Sequence, residues 1–149
     1  MQIGERVPEF ELIDQNGIKR SNKGIKSPLV LFFYPKDDTP GCTIEVCGFR
    51  DKYDLFKVLG AEVWGVSNGN ITSHLAFANK NKLQYPLLCD NNDQLRKIFG
   101  VPKVMGIIDG RVTYVIDRKG FVRHIYRDLL NGPYHIKEAI RVLKEIQNQ

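Results

Sequence analysis

Residues 29–67 read LVLFFYPKDDTPGCTIEVCGFRDKYDLFKVLGAEVWGVS, and this stretch decides the fold. Its first six residues, Leu29–Tyr34, are apolar without alternation, the pattern of a strand covered on both faces. A loop follows, and from about Cys42 the chain turns helical up to Gly60, a natural helix stop. At 100° per residue, Val46, Phe49, Tyr53 and Phe56 lie within about 40° of the direction of Cys42, so that face packs inward. Residues 61–67, AEVWGVS, form a second buried strand. Strand, helix and strand make a βαβ unit, for which a right-handed crossover is expected.

Working outward, Asn16–Gly17 between short apolar stretches predicts a hairpin over Phe10–Arg20. Thr72–Asn81 reads as a helix with Ser or Thr available for capping, Pro86–Cys89 as a short strand and Asn92–Phe99 as a helix. The strands Val112–Ile116 and Phe121–Arg127 are joined by a turn at Asp117–Gly120, and an amphipathic helix runs from about His135 to Ile146. This order predicts a three-layer α/β/α sandwich with a central mixed sheet and an N-terminal hairpin, a thioredoxin-like fold.

At 149 residues the chain is expected to form a single domain, 1–149, burying about two thirds of its unfolded surface. There is no apolar run near the ~18 residues of a membrane span, and no basic-then-apolar leader at Met1–Phe10, so a soluble, cytoplasmic, membrane-free protein is expected. The net charge of +5 is spread along the chain rather than blocked, which gives little support to nucleic-acid binding. Three cysteines without an export signal point to reduced, reactive thiols rather than a disulfide framework.

Two of those thiols, Cys42 and Cys47, lie five positions apart. Cys42 follows a central strand and opens a helix, the sheet edge where α/β proteins place ligands, and backbone N–H groups there favour negative charge on sulfur. It is a candidate thiolate nucleophile. Five helical residues turn Cys47 about 140° away, toward the side of Asp51 and Asp54, so it is expected to face outward. On an intact helix the two Cα atoms would be about 8.6 Å apart, beyond the ~4.4–6.8 Å that a disulfide usually spans. If they bond, the helix must unwind. That suggests oxidation of Cys42 to a sulfenic acid, melting of the first turns, and condensation with Cys47.

The segment FFYPKDDTPGCTIEVCGFRD closely resembles the active site of the peroxiredoxins, in particular the atypical two-cysteine peroxiredoxin Q, or bacterioferritin comigratory protein, type. Pro35, Thr39 and Cys42 match its PxxxTxxC signature, and the resemblance continues through GAEVWGVS, SHLAFANKNKLQYPLLCD, FGVPK and GRVTYVIDRKGFVRHIY. It implies a thiol peroxidase for hydrogen peroxide and organic hydroperoxides, with Cys42 peroxidatic and Cys47 resolving through a disulfide that thioredoxin or a related dithiol reduces. Thr39 would hydrogen-bond the peroxide and Pro40 would shield the sulfur from water. Arg111 would support the thiolate and polarise the peroxide oxygens, since displacement at an O–O bond builds charge on the leaving oxygen. The resemblance further implies a monomer and no metal or organic cofactor. The chain departs from the pattern at Cys89, where Ser or Ala is more usual, and at Asn68–Asn70.

Other readings compete. Cys89, in a short apolar strand, reads as core, with an alternative disulfide left open. A zinc site from Cys42, Cys47, Cys89 and His74 lacks the paired spacing. His74, His124 and His135 are expected at the surface or as caps, Trp64 and Phe32–Phe33 in the core, and Arg50 and Asp51 are alternative candidates for pairing with the site, between which the sequence does not choose. A non-catalytic redox sensor or holdase that exposes Val46, Phe49 and Tyr53 on oxidation is a second functional class, and a disulfide oxidoreductase would require a CxxC pair.

Overall fold

The computed structural model describes residues 1–104 and 108–148. Its centre is a five-stranded sheet in the order β5(Leu87–Cys89), β4(Glu62–Ser67), β3(Leu29–Phe33), β8(Val112–Ile116), β9(Val122–Arg127). β3 pairs parallel with β4, and β4 with β5, while β8 and β9 run antiparallel, so the sheet is mixed. A hairpin of β1(Glu11–Ile13) and β2(Lys19–Ser21) precedes it. β6(Lys103–Val104) and β7(Ile108–Asp109) form a further small pair that the sequence did not signal.

The unbroken apolar run of β3 has its reason in two cores. Val30, Phe32 and Tyr34 enter one with Cys42, Val46, Phe49 and Phe56, whereas Leu29, Leu31 and Phe33 enter the other with Trp64, Leu95 and Phe99. α1(Pro40–Asp51), α2(Tyr53–Val58), α3(Ile71–Lys80) and α5(Gly132–Gln147) supply the first core; α4(Gln94–Phe99) and the N-terminal segment cover the second. The expected three-layer, thioredoxin-like arrangement is therefore present.

Three local readings change. The helix expected from Cys42 to Gly60 begins at Pro40 and divides at Lys52, whose ψ of 8° leaves the helical range although neither Pro nor Gly stands there. α3 is capped by Asn70, whose side chain accepts from Ser73 N, not by Ser or Thr. α5 starts at Gly132, because Asn131 caps it and Pro133 suits a first turn. Among the described residues, no helix is long and apolar enough to cross a membrane.

Strand register positions the site. Phe33 sits opposite Val112, so the loop leaving β3 and the residue entering β8 meet at one edge of the sheet. Gly65 in β4 keeps that centre tight: a Cβ there would lie 2.8 Å from both Phe32 and Leu87 side chains.

Candidate active site

Residues 35–39 turn the chain from β3 into α1, and Asp38 takes a left-handed φ of 61° that Asp tolerates better than most residues. Thr39 is the N-cap by backbone position, but its side chain makes no cap bond. Its hydroxyl donates instead to Lys36 O at 2.9 Å, while Thr39 O accepts from Thr43 N and Thr43 Oγ1, both at 2.9 Å. Having one hydrogen, the Thr39 hydroxyl presents only acceptor lone pairs to anything else. Pro40, the first helical residue, is exposed.

Cys42 stands in the first turn of α1 with no exposed surface. Arg111 Nη2 donates to its Sγ at 3.4 Å. The same guanidinium donates through Nη1 to Glu45 Oε1 at 2.6 Å and through Nε to Leu129 O at 3.0 Å, so three contacts fix its plane. Gly41 permits this approach, since a Cβ there would lie 3.1 Å from Nη2. Burial works against the charge of Arg111, but Glu45 and Cys42 outweigh it and hold the guanidinium above its ordinary value.

Glu45 was not singled out in the sequence, yet it is fully buried behind Cys42. Burial pushes its carboxyl up to about 8 against the opposing pull of Arg111. Its Oε2 has no hydrogen-bond partner and lies 3.6 Å from His135 Nδ1. His135, expected at a surface or cap, is buried, and burial lowers it to about 4. Its Nε2 donates to Asp128 O at 2.8 Å, which leaves Nδ1 to accept from the Thr113 hydroxyl at 2.7 Å. One signal could have found Glu45: three positions after Cys42 it lies about 60° from that residue's direction, a carboxylate at the flank of the inward stripe.

His74 is likewise buried, because its ring lies between two oxygens. Nδ1 is 2.6 Å from Asp37 Oδ2 and Nε2 is 3.1 Å from Leu88 O. Asp37 also accepts from Tyr34 Oη and Ser73 Oγ, each at 2.7 Å. Burial alone would raise the Asp37 carboxyl, but these contacts, His74 first, hold it below its ordinary value. Gly69 makes room for the pair: a Cβ would come within 2.7 Å of His74 and 3.0 Å of Asp37. The loop that carries Thr39 is thereby tied to α3 and β5.

Cys47 does not face outward as expected. It is half-buried, because the end of α3 covers that flank of α1, and its Sγ donates to Asn81 Oδ1 at 3.4 Å. Arg50 lies on this side too, with Nη1 donating to Asn81 O at 2.8 Å and Nε to Asp51 at 3.0 Å. Cys89 is a core residue of β5, and burial, with Asp37 and Asp14 adding, pushes its thiol up to about 11. All three cysteines are free thiols. Among the described residues, no group of three or more His, Cys, Asp or Glu side chains is gathered as a metal site would need. An open cleft of about 670 Å³ lies at the other end of the sheet, around Arg6, Lys23, Arg118 and Lys119, and includes none of these groups.

Cys42 is thus a thiol enclosed at a helix start, with one donor of a buried arginine on its sulfur. The model of the AhpC/TSA family matches residues 3–125. The chain belongs to that family. Among its relatives is the chloroplastic peroxiredoxin Q of Populus jackii, 44% identical over 145 residues, which are 96% of this chain and 68% of the relative. The peroxidoxin BcpB of Mycobacterium tuberculosis superposes with a TM-score of 0.90 at 35% identity, covering 98% of both chains. The bacterioferritin comigratory protein of Xanthomonas campestris, analysed for its alkyl peroxide reduction activity, gives 0.86 at 28%, covering 93% of this chain and 92% of the other. The protein is a peroxiredoxin of the Q type, and so a thiol peroxidase. In this peroxiredoxin the edge of the sheet holds Cys42 and Arg111 together, and places Thr39 and Pro40 at the start of the same helix.

Proposed function

We propose that this peroxiredoxin reduces hydrogen peroxide and organic hydroperoxides at Cys42, resolves the product with Cys47, and is returned to the dithiol form by thioredoxin or a similar dithiol. The observation that carries the reading is the 3.4 Å contact between Arg111 Nη2 and a Cys42 Sγ that is enclosed at the N-terminal turn of α1. Sulfur attacks the outer peroxide oxygen, the S–O bond forms as the O–O bond breaks, and the departing oxygen takes a proton to leave as water or an alcohol. Arg111 donates toward the charge that develops on the oxygens, the Thr39 hydroxyl accepts from the peroxide O–H, and Pro40 limits water at the sulfur. A hydroperoxide as the organic substrate draws support from the activity of the Xanthomonas campestris relative.

The sulfenic acid on Cys42 then meets the Cys47 thiol: the S–S bond forms, the S–O bond breaks and water leaves. Because the two Cα atoms are about 8.6 Å apart on a formed helix, this step requires the first turns of α1 to open. Their opening also separates Cys42 from Arg111. An incoming dithiol reduces the disulfide by exchange and is itself oxidised to a disulfide. Peroxide consumption driven by a thioredoxin system tests the cycle. Cys42→Ser should abolish it, and Cys47→Ser should stop turnover while still reacting once. Turnover by Cys42→Ser contradicts the proposal.

A further inference from the structure

Asn81, the residue after α3, is 8% exposed and takes no part in the chemistry proposed above. Its neighbours orient its amide. Nδ2 donates to Phe77 O at 2.9 Å, and since a carbonyl only accepts, Oδ1 is the atom turned to Cys47 Sγ at 3.4 Å. The carbonyl of Asn81 accepts from Arg50 Nη1 at 2.8 Å. Two side chains of α1, three positions apart, thus close on two oxygens of one residue.

These two contacts have different fates when α1 opens. An amide oxygen can accept from S–H, and this bond must break before the sulfur of Cys47 can turn toward Cys42. Arg50 has no such need to leave: Gln84 Nε2 donates to its carbonyl at 3.3 Å, and its neighbour Phe49 stacks on Phe32 with ring centroids 4.4 Å apart. The opening therefore has a fixed end at Phe49–Arg50, and Cys47 is the docked group nearest that end.

We infer that Asn81 is a positioning residue for the second half of the cycle: its Oδ1 docks the Cys47 thiol on folded α1 and so sets how fast the sulfenic acid is resolved. This rests on the reading of Cys47 as the resolving thiol. The Cys42 sulfenic acid partitions between Cys47, which gives the disulfide and water, and a second peroxide, which gives the sulfinic acid. A firmer dock lengthens the life of the sulfenic acid and increases the second outcome.

Rapid mixing of the reduced protein with peroxide, quenched and read by intact mass, gives both rates in one experiment. Asn81→Leu should leave the oxidation of Cys42 unchanged, raise the rate of disulfide formation by about two- to tenfold, the range one net hydrogen bond spans, and lower sulfinic acid at high peroxide. Asn81→Ala tests the same loss should leucine not fit. Asn81→Asp keeps an acceptor for the thiol while losing the donor to Phe77 O, and should not accelerate resolution. If the aspartate variant accelerates it as much as the leucine variant, loosening of α3 is the cause and the dock is overturned. An unchanged resolution rate in both Asn81→Leu and Asn81→Ala overturns it equally. Cys47→Ser reports separately on the underlying reading: turnover at the wild-type rate would remove the resolving role itself, whatever the Asn81 variants do.

Discussion

Arg111 holds Cys42 and Glu45 with different nitrogens of one guanidinium, Nη2 at 3.4 Å from the sulfur and Nη1 at 2.6 Å from the carboxyl. The fork is what allows it to serve both at once while Nε bonds Leu129 O. Arg111→Lys keeps the charge and loses the fork. The rate constant for peroxide with Cys42 should fall by about 10²–10³, as when one transition-state donor is removed elsewhere. Rapid-mixing kinetics measure it, and a wild-type rate in the lysine variant would reduce Arg111 to a structural role.

Glu45 should make that rate fall above about pH 8. Burial raises its carboxyl to about 8, so on the acid side it stays neutral and leaves the positive charge of Arg111 to the sulfur. On the alkaline side it ionises and competes for that charge. Glu45→Gln retains an acceptor for Nη1 without the titration, so its pH profile should lack the alkaline fall seen in the wild type.

Two buried groups, Glu45 and His135, predict a shaped stability curve. Glu45 binds its proton more tightly folded, at about 8 against an ordinary 4.5, so its contribution declines as pH rises through that window. His135 binds its proton less tightly folded, at about 4 against 6.5, so its contribution declines as pH falls from 6.5 toward 4. The two oppose each other between 4.5 and 6.5, and above 6.5 only the Glu45 decline continues. Thermal midpoints should show a steeper acid loss in Glu45→Gln than in His135→Gln, and an alkaline loss in His135→Gln alone of the two.

Breaking the Asp37–His74 contact should cost about 1.5–3 kcal/mol, the worth of one hydrogen bond to a charged group, since Asp37 keeps its bonds from Tyr34 and Ser73. Urea denaturation of His74→Ala measures the loss. Because Asp37 lies two residues before Thr39, activity should fall even at urea concentrations and temperatures where the variant is fully folded.

Much of the fold was legible because the signal was local. The apolar run at Leu29–Phe33 announces a strand that feeds both cores, and the stripe from Cys42 through Val46, Phe49 and Phe56 announces the inward face of the following helices. The loop and first turn around Cys42 could be read in the same way. The contacts that complete the site were not local. Cys42 and Arg111 are 69 positions apart, and it is the pairing of Phe33 with Val112 that joins them; only the family resemblance pointed to Arg111. The burial of His74 and His135, and the pairing of Glu45 with Arg111, follow from partners on other elements, which helical periodicity cannot supply. Cys47 shows the limit most clearly, for the angle that turned it from Cys42 was read correctly, but not the end of α3 that covers it.

The most direct test of the central claim is a single turnover without any reductant, with the intact mass followed after one equivalent of peroxide. The account predicts that the wild type first gains one oxygen and then loses water, to end two hydrogens lighter, with peptide mapping joining Cys42 to Cys47. Cys47→Ser should stop at the oxygen adduct on Cys42. A wild-type product whose bond joins Cys42 to Cys89, or an oxygen adduct of the wild type that persists, would contradict it.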